Sequence, residues 1–196
     1  MRKLLRILGL LVLLIGAVFI AKELAAQTPP QSATTATAPN AKDLDIPALI
    51  AREFGDDFKV ATDIAPIFAD FDGDGQQDLA VVASGGNPLM GEGAHNYKTL
   101  DPYNDSFGYG NPKVTMAFNT DNAKARYILV LHAWQNPKLK FVLVNVPFQS
   151  VKIGHMMRKK KPIDALGTTD ETGVQAAIYF TGKKYKWEII GSDADH

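Results

Sequence analysis

The sequence predicts a mainly β fold of α+β type, a compact antiparallel β domain with one short N-terminal amphipathic helix. Strand-length runs rich in β-branched and aromatic residues recur from Leu79 almost to the C-terminus. Helical periodicity is confined to one stretch, around residues 44–54. A folded part of about 150 residues can bury near 70% of its extended surface, enough for one core.

In chain order, residues 1–26 come first. Arg2, Lys3 and Arg6 form a positive head, followed by an apolar run from Ile7 to Ala21. This is the layout of a secretory signal. The run is short for a membrane span, which needs roughly 20 apolar residues, although Leu4 and Leu5 extend it if Arg6 snorkels. A cleaved signal peptide and an uncleaved N-terminal membrane anchor both stay open. Either one places the domain outside the cytoplasm, because the basic residues precede the apolar run. The expected location is periplasmic or secreted, or tethered to the cytoplasmic membrane by residues 7–21. Residues 27–42, rich in Thr, Ala and Pro, have too little apolar surface to fold and read as a linker. A single domain, 43–196, follows.

Asp43 or Asp45 can cap the helix, whose early Pro47 is tolerated. Ile46, Leu49, Ile50 and Phe54 form its apolar stripe, and Gly55 stops it. Strands are expected at Leu79–Ala83, Val114–Asn119, Tyr127–His132 and Lys140–Val146. The last two, near 175–181 and 184–190, flank Gly182 and Lys183 as a hairpin. In its second arm Tyr185, Trp187 and Ile189 alternate with Lys184, Lys186 and Glu188, which predicts one buried face. Six or seven strands and one helix result. The stretch 85–113 is rich in glycine and has no sustained period. It is expected to be a surface loop packed by its own aromatics, or else a recognition surface through His95, Tyr97, Tyr103, Phe107 and Tyr109.

The whole chain of 196 residues balances 21 basic against 21 acidic side chains. Cleavage after residue 26 removes four basic residues and Glu23, leaving 17 against 20 and a net charge of −3. Such a balance argues against a nucleic-acid partner. The absence of cysteine excludes a disulfide framework, a thiolate zinc site, a cysteine nucleophile and a lipidated N-terminal Cys.

The strongest chemical signal runs from Asp70 to Asp78, DFDGDGQQD, and leads straight into the Leu79–Ala83 run. Asp70, Asp72, Asp74 and Asp78 hold positions 1, 3, 5 and 9, which suits a hard oxygen-binding cation such as Ca²⁺. Gly73 and Gly75 permit the turn, and the Gln76 carbonyl at position 7 offers a further oxygen. Mg²⁺ fits less well, because it keeps several waters in a rigid octahedron. An EF-hand is excluded: position 12 is Val81 instead of a bidentate Glu, and the chain enters a strand.

The loop and strand together, Ile67 to Gly85, IFADFDGDGQQDLAVVASG, resemble the calcium-binding repeat of the FG-GAP/VCBS family, the blades of integrin α-chain propellers. The resemblance implies Ca²⁺ as the bound ion. Its implied ligands are the side chains of Asp70, Asp72, Asp74 and Asp78 and the carbonyl of Gln76. The motif occurs once, whereas a propeller needs at least about four blades. The resemblance therefore extends to a loop–strand unit and not to a full β-propeller.

Other candidates are weaker. The basic run Arg158-Lys159-Lys160-Lys161 reads as a solvated turn, with anionic lipid or an acidic partner as the alternative. His95, His132, His155 and His196 show no metal-ligand spacing, and His132 reads as a hydrogen-bonded residue at the core edge. Ser84 lacks the nucleophile-elbow context. No catalytic constellation and no organic cofactor site emerge. The leading expectation is an exported, non-catalytic binding or scaffolding module of the cell envelope. It would be stabilised by one structural Ca²⁺ and would meet a protein or glycan ligand through 85–113. The alternatives are a calcium-stabilised hydrolase of envelope polymers and a membrane-tethered assembly factor. Membrane contact is expected only through an uncleaved N-terminal segment.

Overall fold

In a computed structural model of the chain, the described residues are 44–109, 125–158 and 161–192. The predicted signal or anchor, the linker, the alternative cap Asp43, the predicted strand at 114–119 and His196 lie outside them. Among the described residues no helix is long and apolar enough to cross a membrane.

Helix α1 spans Ile46–Phe54. Its first turn is closed by Asp45, whose carboxylate accepts from Ala48 N at 3.0 Å, a donor that would otherwise lack a partner. Leu49, Ile50 and Phe54 are buried, and Gly55 ends the helix at φ +102°.

The first sheet contains β1 (Lys59–Val60), β2 (Ile67–Ala69), β3 (Asp78–Ser84), β4 (Lys98–Leu100), β5 (Arg126–His132) and β6 (Leu139–Leu143). The order is β1-β3-β5-β6-β4, with β2 also on β3. β4 pairs with β6 in parallel, while the other pairs in this sheet are antiparallel. The second sheet is an antiparallel meander of β7 (Ser150–Arg158), β8 (Lys161–Thr169), β9 (Val174–Phe180) and β10 (Tyr185–Ser192).

The first sheet is buried on both faces, which is why β3 and β5 are continuous apolar runs and do not alternate. One face, with Ala80, Val82, Ile128, Val130, Phe141 and Leu143, packs on Leu166, Ile178, Phe180, Tyr185 and Trp187 of the second sheet. On the other face Tyr127 meets Phe58, which with Tyr97 makes ring contacts to Phe54 of α1. Lys140 of β6 also donates to the Glu53 backbone carbonyl at 3.0 Å. The result is a β-rich domain of two sheets with a few short helices.

Several sequence expectations are corrected. The described residues hold ten strands, where six or seven were expected. The excess comes from β1, β2 and β4, too short for a periodicity, and from β7–β8. The described part of 85–113, residues 85–109, contains a 3₁₀ turn (Pro88–Met90), α2 (Glu92–His95), β4 and α3 (Pro102–Ser106). Its order comes from side chains: Tyr97 is buried, and Tyr103 packs edge-on to Trp187 and Phe107. In β10, Tyr185 and Trp187 are buried as predicted, but Ile189 is 55% exposed. Ile189 keeps the register of Tyr185 and Trp187, opposite Ala176, and the register shifts only after it, between Ile189 and Gly191. Of the basic run, Arg158 and Lys161 are register partners at the far end of β7 and β8, and Lys159 and Lys160 lie outside the described residues.

Candidate metal centre

The acidic motif connects two paired strands. β2 ends at Ala69, opposite Asp78 at the start of β3, so residues 70–77 must reverse the chain. Gly73 and Gly75 do so at φ +77° and +83°, a region costly for other residues.

The reversal brings loop N–H groups onto loop carboxylates. Asp70 Oδ1 accepts from Gly73 N at 2.8 Å and Asp74 N at 3.1 Å, and Asp70 Oδ2 accepts from Gly75 N at 2.9 Å. Asp72 Oδ1 accepts from Asp74 N at 3.1 Å. Asp74 accepts from the backbone N–H of Gln76 at 2.7 Å and from its side-chain amide at 2.8 Å. The bonds of Asp72 and Asp74 to the backbone two residues on are Asx turns, and those of Asp70 reach three to five residues ahead. Carboxylate oxygens of Asp70, Asp72 and Asp74 lie within 4.8 Å of one another.

Asp78 is placed differently. It is fully buried, and its two oxygens accept from Phe71 N and from Ala133 N, both at 2.8 Å. It groups with Asp72 and His132, not with the Asp70 and Asp74 oxygens. Burial pushes its carboxyl up to about 6, the two backbone donors and His132 pull the other way, and the Asp72 charge adds to the rise. Of the predicted ligands, Asp70, Asp72 and Asp74 thus meet directly, and Asp78 joins them through Asp72. The Gln76 side chain is turned onto Asp74.

Sequence reasoning gave His132 no role at this motif. It ends β5, one step beyond the Leu79–Leu131 pair and so opposite Asp78. Its Nδ1 lies 2.9 Å from Asp72 Oδ2 and 3.4 Å from Asp78 Oδ2, and its Nε2 lies 2.9 Å from the Tyr185 hydroxyl. Full burial and the nearby Asp78 and Asp72 charges push the Tyr185 phenol well above its ordinary range. Two further grips were also unforeseen. Trp134 donates from both its backbone and its indole to Gln77, at 3.2 Å each. Asp164 of β8 accepts from Asp70 N at 3.1 Å and sits 2.8 Å from His155 Nδ1. The only local signal for any of these was the histidine that closes an apolar strand.

The other candidates stay apart from this centre. His95 faces Gly55, and Ser84 ends β3. The cavity beside α1, lined in part by Phe54, Asp57, Asn87, His95 and Tyr97, holds about 100 Å³. Small-molecule pockets usually run from roughly 300 Å³ upward.

No family model matches the chain, and no curated protein or solved structure matches it either.

Proposed function

We propose that this domain binds one structural Ca²⁺ at the 70–78 loop and serves as an exported, non-catalytic binding or scaffolding module of the cell envelope. The observation that supports the ion is the convergence of the Asp70, Asp72 and Asp74 carboxylates on one part-exposed, oxygen-only centre. The Gln76 carbonyl and Asp78 complete the ligand set that the FG-GAP/VCBS resemblance implies. The loop lies between two strands of the larger sheet, so an ion there locks a chain reversal. Export rests on the charged and apolar N-terminal segment.

A protein or glycan ligand would meet the surface around 85–113, where Met90, Phe107 and Tyr109 are 80%, 51% and 78% exposed.

Calorimetry tests the ion directly. Ca²⁺ at about 100 times its dissociation constant adds about 2.7 kcal/mol of stability. For a domain of this size that raises Tm by roughly 5–10 °C over EDTA. Asp70→Asn with Asp74→Asn should abolish both the heat and the increment. An unchanged wild-type Tm with no heat of binding sinks the proposal. Cell fractionation with intact-mass measurement tests export: a cytoplasmic full-length product contradicts it.

A further inference from the structure

We infer that His132 and Tyr185 are positioning residues for the ion loop, linking its occupancy to the seam between the two sheets. This rests on the calcium reading above. The Asp72 carboxylate is divided: one oxygen accepts from the loop at Asp74 N, and the other faces His132 Nδ1. The same nitrogen also faces Asp78 Oδ2. A nitrogen between two carboxylates is the protonated one, so Nδ1–H donates to Asp72. The other ring nitrogen, Nε2, lies 2.9 Å from the Tyr185 hydroxyl.

The partners belong to three separate segments: the loop, the end of β5, and β10 of the second sheet. His132 is 3% exposed and Tyr185 1%, so neither polar contact can be replaced by solvent. Packing alone does not call for an imidazole here. The ring lies against Phe180 at 4.7 Å and Phe141 at 5.6 Å, neighbours that an apolar side chain would satisfy. What the imidazole adds is a fixed direction for Asp72, the residue common to both clusters. Groups that orient metal ligands in this way usually contribute ten- to a hundredfold to affinity.

The experiment compares full-length wild type, Tyr185→Phe and His132→Asn by Ca²⁺ calorimetry and by melting in EDTA and in Ca²⁺. Ile178→Val, a core change in the same sheet, serves as the purely structural control. The expected result is at least a tenfold loss of Ca²⁺ affinity in Tyr185→Phe and a larger one in His132→Asn. The Ca²⁺-dependent rise in Tm should shrink in both, while Ile178→Val melts lower by the same amount in the two buffers. Wild-type affinity in Tyr185→Phe overturns the inference and leaves the calcium reading standing. Failure of the wild type to bind Ca²⁺ overturns the reading itself. Should a variant not fold, nitrogen NMR of His132 in the wild type decides. Its ring resonances should move on Ca²⁺ addition, and fixed resonances in a protein that binds the ion reject the link.

Discussion

Asp78 shows how much one carboxylate can hold. It closes the β2–β3 reversal by accepting Phe71 N and anchors the end of β5 by accepting Ala133 N. Asp78→Ala leaves both donors buried without partners, at about 1–3 kcal/mol each. Urea denaturation in EDTA should therefore show a loss of roughly 2–6 kcal/mol. Its raised pKa also sets a pH signature. The metal-free fold takes up a proton on Asp78 as pH falls through about 6. The stability from that proton is complete below the ordinary carboxylate range, about 4, and is lost as pH rises through 6. Ca²⁺ requires the opposite, ionised form. The gap between melting temperatures in Ca²⁺ and in EDTA should consequently widen from pH 5 to pH 7. A constant gap would remove Asp78 from the ligand set.

At the scale of elements, the loop depends on its glycines for shape and not for space. A Cβ on Gly75 meets nothing within 4 Å, yet its φ is +83°. Gly75→Ala should cost about 1–2 kcal/mol of strain by denaturant titration. A β-branched residue there should cost more. What could be read from the sequence divides along the same lines. α1 was legible because its cap, stripe and stop lie within eleven residues, Asp45 to Gly55. β3 and β5 were legible because burial on both faces leaves unbroken apolar runs. β7–β8 were not: Lys152, Gly154, His155 and Gly167 interrupt any pattern, and among the described residues one edge of β7 has no partner strand. All four acids of the motif were named together because their spacing in the sequence is local. His132 and Tyr185 lie 60 and 53 residues from their respective partners Asp72 and His132, beyond any local motif.

Across the whole molecule, stability rests on the layer between the sheets. Ile178 is fully buried there, on the meander side. Ile178→Ala should cost about 2–5 kcal/mol, measured by equilibrium unfolding. That seam also lies beside the 70–78 loop, through Tyr185 and His132 on one side and Asp164 on the other. An ion bound at the loop, as proposed, would therefore influence both sheets without touching either core.

The two sheets differ in one further respect, which concerns time. The second is a meander whose strands follow one another directly, with Leu166 opposite Ile178 and Ile178 opposite Trp187. The first must bring Leu79 to Leu131 across half a hundred residues of chain, and must insert β6 between β5 and β4. Closing short loops is fast and closing long ones is slow. On refolding, amide protection should appear in β8–β10 before β3–β5, as pulse-labelled hydrogen exchange can record. The meander would then be the surface on which the first sheet assembles, with Tyr185 in place before His132 arrives.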